Sequence, residues 1–445
     1  MILTVIIIIR SFREEDGEMN QNILVSILTL LFYITSIVGG GGTTTPSSTT
    51  PQETLTSSLV GQQAEIIGDN VMIRTGAGTG NSALTSLNKG DRVVILDTKD
   101  NWYQVKLDDG RIGWVVNYLV KISPINKLQR PHDKTVLGYY VFTSNAYDSL
   151  IQNSQYLTSI APWSWGINSY GNLTEDADAA ALAKVLSFAG NQQLQTYALI
   201  HNMFNGNFDS KVASALLNNP VAKTKAINEI KTTLLNWGMS GINLDLENVA
   251  SNDRQALNDF VAELSAALHE AGLTVTMAVP AKTQDNPSNN FSGAYDYAEL
   301  GKHVDQLVIM AYDQHYRSGS PGPIASVEWV ESVIKYVISQ VPAEKIVLGI
   351  PNYGYDWPKS GVATALTYNQ TMQLAASEGA NIKWQSNDKV PYFNYGQGHQ
   401  VWFENRYSLK YKLELVNKYN LNGIALWRLG QEDPGIWQTI NQTLS

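Results

Sequence analysis

The chain has no cysteine among its 445 residues. That excludes disulfides, thiolate metal sites, iron–sulfur clusters and cysteine nucleophiles together. Charge is also scarce: 16% of residues are Asp, Glu, Lys or Arg, with 31 basic against 40 acidic side chains. A net charge of −9 opposes binding to nucleic acid, which selects basic faces. It equally opposes charge-driven capture of an anionic wall polymer. Histidines number six, and none makes a short-range metal pair. His269-Glu270 opens an HExxH-like string, but Leu273 stands where the second histidine would be, so the zinc reading fails. No metal or organic cofactor is implied. Aromatic residues are plentiful, with 22 Tyr, 11 Trp and 10 Phe. They suit stacking on sugar faces, and large cores use them too. With 44% apolar residues, wholesale disorder is excluded. The length predicts two or three domains.

Residues 1–42 read as a leader. Ile23–Val38 is a run of sixteen uncharged residues, shorter than a typical span of about 20. It fits a signal-peptide core or a short membrane anchor. Residues 43–62 read as a linker, because eleven of the sixteen residues at 43–58 are Ser or Thr and cannot bury enough to fold. An apolar segment, a Thr/Ser/Pro stalk and then folded domains is the layout of an exported protein, extracellular or associated with the bacterial envelope.

Residues 63–122 read as a small all-β barrel, with short alternating runs at 71–74, 91–97, 101–107 and 112–116 punctuated by glycines. VMIRTGAGTGN at 71–81, LNKGDRV at 87–93, NWYQV at 101–105 and DGRIGWVVNYL at 109–119 together resemble a bacterial SH3-like domain. The resemblance implies a cell-wall peptide or glycan ligand; a structural spacer is the alternative. Trp102 and Trp114 are expected in the core of this barrel. Residues 123–134 form a second linker.

From Thr135 to Ser445, eight apolar strand candidates alternate with amphipathic helical stretches. They lie at 136–142, 159–165, 194–200, 241–247, 273–279, 304–312, 345–351 and 422–427. Eight βα units predict an α/β (β/α)8 TIM barrel. The gap between the last two candidates is too long for one helix, so a small α+β insertion is expected at about 356–412.

Barrel chemistry sits at the carboxyl ends of the strands. The fourth candidate ends in Asn243, Asp245 and Glu247 at alternate positions, so all three point the same way. A structural strand would not aim three polar groups inward, where unpaired burial is costly. Adjacent carboxylates repel, which keeps one protonated near neutral pH, as a general acid requires.

SGINLDLEN at 240–248 resembles the DGxDxDxE signature of glycoside hydrolase family 18, with Ser240 and Asn243 in place of the first two aspartates. MAYD at 310–313, GIPNYGYDW at 349–357, VWFEN at 401–405 and GIALWRLGQEDPGIW at 423–437 agree with it, and the whole is most similar to the spore-cortex and cell-wall N-acetylglucosaminidase branch. The resemblance implies substrate-assisted retaining hydrolysis of an N-acetylhexosamine polysaccharide, peptidoglycan or chitin. In that scheme Glu247 is the acid–base, Asp245 orients the 2-acetamido group, and Tyr312 aims its carbonyl. Asp313 and Asn243 would assist at the substrate, Asn243 still able to hydrogen-bond Asp245. Trp427 would floor the sugar. Tyr139, Tyr353, Trp163 and Trp165 are further sugar contacts or packing. A silent glycan-binding barrel is the competing class, and Glu247 counts against it.

Overall fold

A computed structural model of the chain describes residues 58–123, Arg130 and 133–444. The leader at 1–42 and most of the 43–62 linker lie outside the described residues. Among the described residues, no helix is long and apolar enough to cross a membrane.

The N-terminal β-domain contains β1 (Gln63–Ile66), β2 (Val71–Arg74), β3 (Ala83–Leu87), β4 (Arg92–Lys99), β5 (Trp102–Leu107), β6 (Ile112–Val116) and β7 (Val120–Ile122). They form one antiparallel sheet in the order β3-β2-β6-β5-β4-β1-β7. Side chains alternate across each strand. Ile73, Ile95, Val105, Leu107 and Val115 therefore meet in an aliphatic core. The expectation that Trp102 and Trp114 fill that core is corrected. Both fall on the opposite parity from Val105 and Val115 and lie half-buried on the outer face.

The large domain is a closed barrel of eight parallel strands. These are β8 (Thr135–Tyr140), β9 (Ser159–Ile167), β11 (Gln195–His201), β14 (Gly241–Asp245), β15 (Thr274–Pro280), β16 (Gln306–Met310), β17 (Ile346–Pro351) and β23 (Gly423–Trp427). Pairing of β23 with β8, and of β8 with β9, closes the ring. A short β10 (Leu173–Glu175) folds back on β9, and a two-stranded hairpin, β12 (Met203–Phe204) and β13 (Asn207–Phe208), follows β11. The alternation is visible in the packing. Ile242, Leu244, Ile424 and Leu426 join the core between strands and helices. Leu137, Leu199, Val308, Val347 and Ala425 fill the barrel interior.

Neighbouring strands approach closely at their starts. A Cβ on Gly241 would lie 2.0 Å from the Thr274 carbonyl oxygen of β15. Backbone cannot move aside as a side chain can, so Gly241→Ala is expected to destabilise the barrel by at least about 1–3 kcal/mol, the usual overpacking cost. A thermal melt unchanged from wild type would contradict this.

Between β17 and β23 lies an inserted antiparallel sheet of β18 (Tyr353–Trp357), β19 (Thr364–Thr367), β20 (Lys383–Gln385), β21 (Val390–Tyr395) and β22 (His399–Phe403), ordered β19-β18-β22-β21-β20. One helix, Tyr368–Ser377, completes it. The expected bounds of 356–412 shift. The sheet starts at Tyr353, and the helix Arg406–Lys418 belongs to the barrel, burying Leu413 and Val416 in the barrel's outer core.

The first expected linker, 43–62, gives way to packed chain before its expected end. Val60 packs with Phe188 and Leu96, and the Gly61 carbonyl accepts a 2.6 Å bond from Gln192 Nε2. The β-domain is further tied to the barrel by Lys184 to Asp97 at 2.8 Å, Lys106 Nζ to the Ile151 carbonyl at 2.6 Å and Gln152 Nε2 to the Gly110 carbonyl at 2.8 Å. From the second linker, Arg130 reaches the carbonyl of Gln192 at 2.6 Å.

Candidate active site

At the carboxyl end of the barrel a cavity of about 800 Å³ opens between the strand ends. Its walls include Tyr139, Asp245, Glu247, Tyr312, Asp313 and Trp427. These six are sequence-predicted site residues drawn from the ends of β8, β14, β16 and β23, so distant segments meet at one place. Among the described residues, no lysine or arginine lines it. Among the described residues, no group of three or more His, Asp or Glu side chains stands together as a metal site.

Three carboxyl groups therefore share an apolar cavity without a cation. Burial pushes the Asp245 carboxyl above the usual carboxylate range, with His201 pulling weakly the other way. Burial raises Glu247 as well, and the nearby Asp245 and Asp313 add to the rise. The two titrate together, so the site holds a proton well above ordinary carboxylate pH. Oδ1 of Asp245 has no hydrogen-bond partner among the described residues. The phenol of Tyr312 is driven well above its ordinary value by burial and by surrounding Tyr139, Asp245, Glu247 and Asp313, so it remains an O–H donor.

Neighbours make room for and hold these groups. A Cβ at Gly349 would stand 3.0 Å from the Tyr312 ring, so the glycine leaves space for it. Asp313 has φ of 57°, a left-handed backbone that aspartate tolerates. Its Oδ1 accepts from the hydroxyls of Tyr353 at 2.5 Å and Tyr355 at 2.9 Å. Burial still leaves Asp313 raised, against the opposing pull of those two phenols. Trp427 meets Tyr139 edge-on at 5.2 Å between ring centres. Phe208, Phe291, Tyr316 and Trp329 complete the aromatic wall.

Two expected sugar contacts, Asn243 and Tyr353, are corrected, and Trp165, left open between sugar contact and packing, is packing. Asn243 does point inward with Asp245, but it is fully buried below the cavity, where its Nδ2 donates to Thr276 Oγ1 at 2.8 Å. Its amide is committed to the neighbouring strand, not to the Asp245 carboxyl. Tyr353 is buried behind Asp313 and acts as its hydrogen-bond donor. Trp165, shifted off the parity of Trp163 by a β-bulge between them, packs against Trp237 among the helices. Trp163 lies inside, between Trp427 at 5.9 Å and His201 at 4.4 Å.

Two residues that hold the acidic loop were missed. Asn202 bonds both backbone groups of Glu247, and the Tyr295 hydroxyl donates to the Leu246 carbonyl at 2.8 Å. Asn202 directly follows β11, and a polar residue at a barrel strand end is the signal that could have found it. Tyr295 sits in an irregular stretch with no such signal.

A closed parallel barrel with paired buried carboxyls at the rim of its fourth strand, inside an aromatic cleft, has the form of a glycoside hydrolase. Comparison with known proteins makes this specific. Residues 135–432 match the model of glycosyl hydrolases family 18, and the chain belongs to that family. Residues 69–121 match the bacterial SH3 domain. The cortical fragment-lytic enzyme of Bacillus subtilis is 31% identical over 304 residues, 66% of this chain and 70% of that protein. A chitinase of Chromobacterium violaceum is similar in structure, with a TM-score of 0.67 and 33% identity over 70% of this chain and 98% of that one. The spore cortex-lytic enzyme SleL of Bacillus cereus has a TM-score of 0.66 and 26% identity over 82% of this chain and 91% of that one.

Proposed function

We propose that the chain is a retaining β-N-acetylglucosaminidase acting on peptidoglycan of cell wall or spore cortex, by substrate-assisted catalysis. The observation that carries this reading is the Asp245–Glu247 pair, with raised carboxyl pKa values, facing Tyr312 across a cavity without a basic residue. Protonated Glu247 gives its proton to the glycosidic oxygen as the bond to the anomeric carbon breaks. The 2-acetamido oxygen of the same sugar attacks that carbon, forming an oxazolinium ion. Asp245 accepts the acetamido N–H on its carboxylate and balances the positive charge. The Tyr312 O–H holds the acetamido oxygen in line. Glu247, now ionised, deprotonates water, which opens the ring with overall retention. Trp427 stacks under the sugar face.

The wall substrate is favoured by the bacterial SH3 match, read as a wall-binding module, and by relatives whose names include cortical fragment-lytic and spore cortex-lytic enzymes. The same layout supports an exported, envelope-associated protein carried out by the 23–38 segment. The likeness to a chitinase supports chitin or chito-oligosaccharides as a second reading.

Digestion of purified peptidoglycan and of chitin, with analysis of new reducing ends, separates these. The expected products from peptidoglycan end in N-acetylglucosamine with retained β-configuration. Cleavage confined to chitin would replace the wall substrate. New N-acetylmuramic acid ends would overturn the glucosaminidase specificity, inversion would overturn the mechanism, and no cleavage of either polymer would leave a glycan-binding barrel.

A further inference from the structure

We propose that Asn202 is a positioning residue that sets the orientation and proton affinity of Glu247, an inference that rests on the reading of Glu247 as the acid. The parallel ladder between β11 and β14 ends at the pair His201 and Asp245. Glu247 lies two residues beyond it, outside the strand pairing. The Asn202 carboxamide takes the place of a strand neighbour. Its Oδ1 accepts from the Glu247 N–H at 2.9 Å, and its Nδ2 donates to the Glu247 carbonyl at 2.8 Å. A side-chain amide has the donor and acceptor of a peptide group, so it extends the strand pairing past the end of the backbone ladder.

The clamp is anchored on its far side. Nδ2 of Asn202 also donates to the Asp209 carbonyl at 3.1 Å, and the Asp209 N–H returns a 3.1 Å bond to the Asn202 carbonyl. Asp209 in turn caps the helix Ser210–Leu217 by accepting from Lys211 N–H at 2.7 Å. Asn248, with φ of 53°, turns the chain out of the strand immediately after Glu247 and donates to the Phe208 carbonyl at 3.1 Å. Glu247 is thus held extended for one more position, on the face of Asp245, by a fully buried amide that lies outside the cavity lining. Without it, the Glu247 peptide groups would seek water and rotate the carboxyl toward solvent. Solvation stabilises the ionised form and lowers its pKa.

The test compares Asn202→Ala and Asn202→Asp with wild type and with Glu247→Gln on soluble peptidoglycan strands, following new reducing ends across pH. Misplacement by about 1 Å can cost about 10²-fold, so Asn202→Ala is expected to lose kcat by up to about that factor. KM should stay near wild type, and the alkaline limb of the pH profile should move to lower pH. Asn202→Asp keeps the acceptor for the Glu247 N–H but adds a negative charge, so its alkaline limb should move to higher pH. A downward limb shift with lowered kcat in Asn202→Ala is not expected of a merely structural residue. If Asn202→Ala does not fold, the kcat and KM of Asn202→Asp decide, because that variant loses the Nδ2 donor to the Glu247 carbonyl. Lowered melting temperatures with wild-type kcat and pH profile would overturn the positioning role while Glu247→Gln is inactive. A fully active Glu247→Gln enzyme would instead remove the acid assignment, and this inference with it.

Discussion

Glu247→Gln is expected to lower turnover on peptidoglycan by about 10²–10⁴-fold, the usual worth of general acid–base help. Glutamine keeps the shape of the side chain and loses the proton, so glycan affinity should persist. The same variant should show the cost of the site's electrostatics. Burial and two neighbouring carboxyls raise the Glu247 pKa in the folded chain. Its ionisation is therefore unfavourable in the fold and ordinary in the unfolded chain. The stability associated with the protonated form is complete below the ordinary value of 4.5 and is lost as pH rises through the raised folded value. The glutamine side chain does not titrate. The variant should accordingly match wild type in melting temperature at acidic pH and exceed it increasingly toward alkaline pH. Equal melting curves at all pH values would show that Glu247 is not held protonated. Near-wild-type turnover would remove it from the acid role.

The barrel and the inward direction of Asp245 and Glu247 were readable because period-2 alternation and the strand-end rule are local, whereas Tyr139, Tyr312, Asp313 and Trp427 were named from the resemblance to the family's motifs. Asn243, Asp245 and Glu247 share a parity, and the strand fixes their direction whatever surrounds them. What the alternation could not give was depth. Asn243 and Asp245 point the same way, yet Asn243 is fully buried against Thr276 while Asp245 lines the cavity. Tyr353 was misjudged for the same reason: the motif places it at the right strand end, but Asp313 stands between it and the cavity. The tryptophans of the β-domain show the converse error. Size favours burial, but the parity of β5 and β6 assigns Trp102 and Trp114 to the outer face. Asn202 and Tyr295 were missed because their work is done through backbone groups of another segment, and such contacts leave no spacing in the sequence. The first linker was overextended because no local pattern marks Val60 and Gly61 as packed, and their partners, Phe188 and Gln192, are far away in the chain.

Asp245→Asn should be the second most damaging change, with an expected loss of about 10²–10³ in kcat, the scale seen when one preorganised electrostatic contact to a developing charge is removed. The introduced carboxamide would keep an oxygen able to accept the acetamido N–H. It would lose the negative charge that balances the oxazolinium ion, so the loss falls on the transition state more than on binding, and KM should change less than kcat. The variant also separates charge from position. Asp245 is one of the groups holding the Glu247 pKa up. Neutralising it lowers that pKa, so whatever activity remains should have its alkaline limb at lower pH than wild type. Asn243 cannot supply the missing charge, since it is neutral and its amide is engaged with Thr276. Kinetics and a pH profile on peptidoglycan read both effects. Wild-type kcat in Asp245→Asn would mean that no cation forms beside this residue, which is incompatible with participation by the acetamido group. A reduced kcat with an unmoved alkaline limb would mean that Asp245 and Glu247 do not share a field, and the acid would then owe its proton to burial alone.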